Sequence, residues 1–231
     1  MISVKDLSKK YNGILAVNIP SLEIQQGESF GLVGNNGAGK TTFFRMILDL
    51  IRPSSGEILI KEEVVKGNNN WKKFTGSYLD EGFLIDFLSP DEYFEFIGNL
   101  HKLNKAEVEE RLSKFEDLFN GEIRGSNKFI RDLSKGNQKK VGIAAAMLIQ
   151  PEILILDEPF ANLDPTTQIR LKNQMKSFKE ENNCTLLVSS HDLNHVTEVC
   201  ERIVVLEKGN VIQDKIRSET TLKELEEYFA V

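Results

Sequence analysis

Cysteine is close to missing from this chain: two thiols, Cys184 and Cys200, occur in 231 residues. They lack the close spacing that a zinc site or a redox motif needs, and they read as reduced thiols, small core or surface residues of a cytosolic chain. Long apolar runs are missing too. The longest, Val141 to Ile149, breaks at Gln150-Pro151-Glu152, well short of the roughly 20 residues that cross a bilayer. No membrane span is expected. The N-terminus, Met1-Ile2-Ser3-Val4-Lys5-Asp6, becomes charged too early for a secretory signal, so a cytoplasmic location is expected. Nor is there a basic excess. A formal net charge of −6 gives no general attraction to a phosphate backbone, and nucleic acid is not an expected partner.

What is present is ordinary in bulk and specific in detail. Hydrophobic residues make up 40% and charged residues 28%, the balance of a soluble globular protein large enough for one large or two interlocked domains. Within it, Gly34-Asn35-Asn36-Gly37-Ala38-Gly39-Lys40-Thr41-Thr42 fits G-x-x-x-x-G-K-[ST]. The run before it, Glu28 to Val33, reads as a buried strand; the run after it, Thr42 to Leu48, has helical spacing. A strand-loop-helix of this kind turns backbone N–H groups inward on phosphate oxygens and aims a helix dipole at the same anion. Lys40 would reach the β- and γ-phosphates. Thr41 would offer its hydroxyl to Mg²⁺, and Thr42 a further phosphate contact.

Along the rest of the chain, Ile2–Leu7 and Ala16–Ile24 read as short antiparallel strands with turns at Asn12-Gly13 and Gln26-Gly27, and Ile58-Leu59-Ile60 as another. Pro90-Asp91-Glu92 resembles a helix start, and residues from about 89 to 149 read as mostly helical. From Pro151, strands and helices alternate. Ile153–Leu156, Thr185–Val188 and Ile203–Leu206 are continuous apolar runs of the kind a parallel sheet buries on both faces, and Glu219–Tyr228 has helical spacing.

Two carboxylates, Asp157 and Glu158, end the run Ile153-Leu154-Ile155-Leu156, where open α/β sheets place their ligands. Asp157 would hold Mg²⁺, and Glu158 would polarise the water attacking the γ-phosphate. With the phosphate loop, the motifs Leu133-Ser134-Lys135-Gly136-Asn137, Asp157-Glu158-Pro159, Asn162-Leu163-Asp164 and Ser190-His191 resemble the nucleotide-binding subunit of ATP-binding-cassette (ABC) transporters. The resemblance covers nearly the whole chain. It implies an α/β P-loop NTPase with a mixed, largely parallel core sheet and an N-terminal antiparallel β subdomain in residues 1–88 and 150–231. A helical subdomain would occupy about 89–149.

The resemblance also implies roles. Two cassettes would pack head to tail, with Ser134 and the Gly136 N–H of one approaching the γ-phosphate held by the other. His191 would contact that phosphate, Asp164 would connect the two sites, Tyr11 would stack on adenine, and Glu81 would stand where a Gln usually ligates Mg²⁺. Departures from the commonest pattern are Lys135 for Gly, Asn137 for Gln and Glu81 for Gln. Lys135 and Glu81 are similar to exporter-type members.

The expected function is therefore an ATPase subunit binding ATP and Mg²⁺. It would work as a homodimer or as a heterodimer with another such subunit, on separate transmembrane permease subunits that hold it at the inner face of the cell membrane. Phe83, Leu84, Ile85, Phe87 and Leu88 fall where such a subunit receives its partner, though core packing would explain them as well. A soluble, non-transporting regulator or assembly factor of the same family is the alternative, and a small-molecule kinase a more distant one. His101 and His195 have no assigned role.

Overall fold

The computed structural model describes residues 1–230. β1 (Ile2–Tyr11) and β2 (Ile14–Ile24) form a hairpin across Asn12 and Gly13, both at positive φ, the conformation a two-residue hairpin loop demands. These strands are longer than the sequence pattern suggests, because pairing continues to Tyr11 and Ile14 at the hairpin tip. β3 (Ser29–Val33) leads through the phosphate loop into α1 (Lys40–Ile47), followed by β4 (Ser55–Ile60), β5 (Glu63–Val64) and β6 (Thr75–Tyr78).

Four helices come next: α2 (Pro90–Leu100), α3 (Lys105–Ser113), α4 (Glu116–Phe119) and α5 (Lys135–Leu148). Capping boxes start the first two, Ser89 with Glu92 and Asn104 with Glu107, each satisfying two backbone N–H groups that a helix start leaves unpaired. Then β7 (Ile153–Asp157), α6 (Pro165–Asn182), β8 (Thr185–Ser190), α7 (Leu193–Val199), β9 (Arg202–Glu207), β10 (Asn210–Ile216) and α8 (Thr221–Phe229) complete the chain.

Among the described residues the strands build one sheet in the order β5-β4-β1-β2-β10-β9-β3-β8-β7-β6. β9, β3, β8, β7 and β6 run parallel, whereas β1, β2, β4 and β5 pair antiparallel. The two regions are continuous, joined where β10 meets β2 through the pair Asn210 and Asn18.

Alternation on β7 explains its unbroken apolar run. Leu154 and Leu156 face a core built with Phe94, Phe119, Val141, Met175 and Val196, while Ile153 and Ile155 face the other core with Phe30, Phe43, Phe44 and Ile47. Each side chain so buried contributes about 1.5–3 kcal/mol relative to exposure. Cys184 and Cys200 are buried and unpaired, and burial pushes the Cys184 thiol up to about 12. They are core residues.

α5 is buried on nearly every side and lies against β6. Gly76 permits that approach: a Cβ there would stand 2.2 Å from the Ala146 carbonyl oxygen. Gly76→Ala is expected to destabilise the fold by about 1–3 kcal/mol through overpacking, read as a lower urea midpoint with an unchanged denaturant slope.

Candidate nucleotide-binding site

The phosphate loop is shaped by its glycines. A Cβ on Gly34 would meet the Leu206 carbonyl oxygen at 2.2 Å, and one on Gly39, at φ +110°, would meet that of Ala16 at 2.5 Å. Both keep the loop pressed against the sheet. Asn35, Asn36 and Gly37 are exposed, whereas Ala38 is buried and Thr42 half-buried. No side chain caps α1, so the first N–H groups of that helix are free to meet phosphate oxygens. Lys40 is 6% exposed, and its ammonium donates to the Gly34 carbonyl at 2.6 Å.

Asp157, at the end of β7, is 4% exposed. Its carboxylate accepts hydrogen bonds from the Thr41 hydroxyl at 2.5 Å and from the Ser189 hydroxyl. Burial pushes its pKa upward against those two bonds, and the Glu158 charge adds to the rise. A buried carboxylate in contact with a threonine hydroxyl is a donor set suited to a hard divalent cation, so Thr41 and Asp157 fit the Mg²⁺ role expected of them. Among the described residues no cluster of three or more His, Cys, Asp or Glu side chains is arranged around a metal; a cation here would complete its shell with phosphate oxygens and water.

Glu158 is held at φ +47°, unusual for a side chain of its size. Its N–H donates to the Ser189 hydroxyl at 3.0 Å. One carboxylate oxygen lies 3.3 Å from the Lys40 ammonium and the other 2.9 Å from His191 Nδ1. The fold thus brings Lys40, Thr41, Asp157, Glu158 and His191 into one connected cluster, although they come from three separate stretches of chain.

The other expected residues lie outside that cluster. Ser134 caps α5, accepting from the Asn137 N–H at 3.2 Å, and Asp164 caps α6 ahead of Pro165, accepting from Thr167. Gly136 lies in the first turn of α5, where a Cβ would stand 3.5 Å from both the Asn162 carbonyl oxygen and the Leu163 side chain. Tyr11 ends β1 and is 47% exposed, with the Lys9 ammonium 5.0 Å from its ring centroid. Glu81 starts a short 3-10 turn after β6 and accepts from the Tyr78 hydroxyl at 2.9 Å. His195 packs its ring on Phe160, and burial lowers its pKa; His101 lines a cleft described below.

Two residues without an expected role are close to the chemistry. Ser189 braces both Asp157 and Glu158, and its signal in the sequence is a pair of serines ending an apolar strand. Lys139, on α5, donates to the carbonyl oxygens of Glu158 at 2.9 Å and Ala161 at 2.8 Å. Sequence spacing carries no sign of that link, since the partners are separated from Lys139 by a helix and a strand.

A cleft of about 400 Å³ opens away from the phosphate loop, among β6, α2 and α5, lined by Leu50, Tyr78, Phe83, Leu84, Tyr93 and His101. Phe83 and Phe87 are exposed at 54% and 60%, while Leu84, Ile85 and Leu88 pack partly against the core. The apolar segment is therefore divided between the core and the surface.

An α/β sheet whose parallel part carries this loop between β3 and α1, with Asp157 and Glu158 at the end of the next strand but one, defines a P-loop NTPase. A family model described as "ABC transporter" matches residues 17–161, and a second, described as "AAA domain, putative AbiEii toxin, Type IV TA system", matches residues 129–196. The chain belongs to the ABC transporter family, as an ABC-type ATP-binding cassette.

It is 36% identical to the uncharacterized ABC transporter ATP-binding protein YhaQ of Bacillus subtilis over 94% of this chain and 72% of that one. It is 34% identical to the ABC transporter ATP-binding protein NatA of the same organism over 92% and 88%. Identity to the methionine import ATP-binding protein MetN 2 of Bacillus cereus is 32% over 93% and 66%. The chain spans about half the length of another relative, sll0415 of Synechocystis, where the match covers 54%. The dimeric cassette MJ0796 bound to ADP and Pi superposes with a TM-score of 0.83 at 27% identity, over 94% of this chain and 99% of that one.

Because folding raises the Asp157 pKa, its ionised form opposes folding at neutral pH, and that penalty vanishes in acid once the carboxyl is protonated in both states. Asp157→Asn is therefore expected to raise the Tm measured without nucleotide near pH 7. The gain should shrink as the pH is lowered and be gone only well below the free aspartate value of 3.8, as followed by calorimetry.

Proposed function

We propose that this chain is the ATP-hydrolysing subunit of a transporter, working as a head-to-tail dimer, as homodimer or heterodimer, on separate transmembrane permeases. The observation that carries the reading is the Glu158 carboxylate held between the Lys40 ammonium and the His191 ring. Glu158 accepts the proton of the attacking water. Lys40 and His191 stabilise the charge that grows on the γ-phosphate oxygens during transfer. Thr41 and Asp157 would hold Mg²⁺, which would supply positive charge beside the same oxygens; Glu81, bonded to the Tyr78 hydroxyl, lies outside that pair. Tyr11 offers an exposed ring face for adenine.

Dimerisation is supported by what the cluster lacks. The phosphate loop is open to solvent, and the capped start of α5, with Ser134 and Gly136, is exposed to half-exposed and unconnected to it. A second copy would bring that helix end, with its N–H groups, onto the phosphate. The solved structure of MJ0796 is of a dimer. Among the described residues no helix is long and apolar enough to cross a membrane, and exposed Phe83 and Phe87 beside the cleft provide the apolar surface through which a permease would be engaged. In this reading the subunit sits at the cytoplasmic face of its membrane. Lys135 and Glu81 favour export; one relative is named for methionine import.

Glu158→Gln is expected to keep ATP binding, lower turnover by at least about a hundredfold and accumulate an ATP-bound dimer on size-exclusion chromatography; normal hydrolysis would refute Glu158 as the base. Lys40→Ala and Ser134→Arg subunits, each inactive alone, should regain activity when mixed, because one composite site in the heterodimer is then intact. Purified heterodimer with no activity would remove the head-to-tail reading.

A further inference from the structure

Lys139 is a lysine in an unusual place. It lies in the second turn of α5, is 5% exposed, and makes its hydrogen bonds with backbone carbonyls. Burying an ammonium is costly unless its donors are used. Two are used here, on the Glu158 and Ala161 carbonyl oxygens, and the charge is further offset by the nearby carboxylates of Glu81, Glu158 and Asp157. Burial is nonetheless the larger influence and pulls the Lys139 pKa down. The carbonyls it grips belong to a turn with two non-glycine residues at positive φ, Glu158 at +47° and Asn162 at +62°. Each such residue is strained, and the conformation persists only where surrounding contacts over-determine it. From the sheet side, Ser189 accepts from the Glu158 N–H. From the helical side, Lys139 is the clamp.

We propose that Lys139 is a positioning residue for ATP hydrolysis: by holding the Glu158 and Ala161 carbonyls, it fixes the turn that aims the Glu158 carboxylate and ties that aim to the placement of α5. This rests on the reading of Glu158 as the base. α5 begins at Ser134, the helix end that a second subunit would place on the phosphate, so one rigid helix carries both the cross-dimer contact and the clamp on the base. Seating of α5 and alignment of Glu158 then become a single event. A cassette whose α5 is displaced holds nucleotide with its base out of line.

The test compares Lys139→Met, which keeps the stem and loses the donors, with Lys139→Gln, which restores a shorter N–H donor. Lys139→Met is expected to lower kcat about tenfold or more while the KM for MgATP changes less than about twofold, with Lys139→Gln between it and the parent. In single-turnover experiments on a Glu158→Gln background, adding Lys139→Met should cost little more, because both changes disable the same group. Full kcat in Lys139→Met, a parallel loss of nucleotide affinity, or losses that multiply with Glu158→Gln would each overturn the proposal. If Lys139→Met does not fold, Lys139→Gln carries the same comparison, and parental turnover by Lys139→Gln alone would count against the clamp only if Lys139→Ala matched it. Glu158→Gln measured alone keeps the two failures apart: if it hydrolyses normally the base assignment falls, whereas if it is inactive and Lys139→Met is not impaired, only the clamp does.

Discussion

β7 is buried on both faces and still ends in two adjacent carboxylates, and the arrangement of the site follows from that constraint. Apolar side chains on alternate sides of β7 anchor it between two cores, leaving no freedom in where the strand stops. Asp157 is the last residue inside, Glu158 the first beyond the strand. The ionised form of Asp157 is disfavoured by burial and supported by two hydroxyls, one from the phosphate-loop helix and one from β8. A single carboxylate thereby fixes the distance between the three segments that would handle the phosphates.

The same logic extends outward through short polar links. Ser189 joins the backbone of Glu158 to β8, His191 and Lys40 meet its two carboxylate oxygens, and Lys139 reaches its carbonyl from α5. Glu158 is thus held by side chain, N–H and carbonyl at once, which is how a strained left-handed backbone persists. At Asp157 the structure carries a charge unfavourable to folding, and under the proposed function that cost is offset by the cation the carboxylate would hold.

Much of this was legible in the sequence. The phosphate loop announced itself through glycine spacing, because a chain wound tightly enough to turn its N–H groups on a phosphate needs residues without a Cβ where it presses on the sheet or takes a positive φ. The apolar runs at Ile153, Thr185 and Ile203 pointed to doubly buried parallel strands, and they form them. Pro90-Asp91-Glu92 marked a helix start, and a capping box lies there. The length of the β1–β2 hairpin was less clear: the apolar pattern stops at Leu7, yet backbone pairing, which side-chain pattern does not report, carries the strand to Tyr11. The apolar residues from Phe83 to Leu88 also could not be sorted in advance, since five apolar side chains in six positions have no periodicity that separates core from surface.

By itself, then, the sequence determined the chemistry available: a phosphate cradle, a lysine, two carboxylates and a histidine at recognisable strand and helix ends, each a local pattern set by neighbouring residues. Only the tertiary structure decided which of them meet. Lys40, Glu158 and His191 converge because β3, β7 and β8 lie side by side in the sheet, an ordering set by long-range pairing. Ser134, Gly136 and Asp164 stay apart from them for the same reason, being carried on helices whose placement depends on the core beneath. Lys139 shows the difference most plainly, because an ordinary lysine of an ordinary helix acquires its partners only when α5 packs beside the turn after β7.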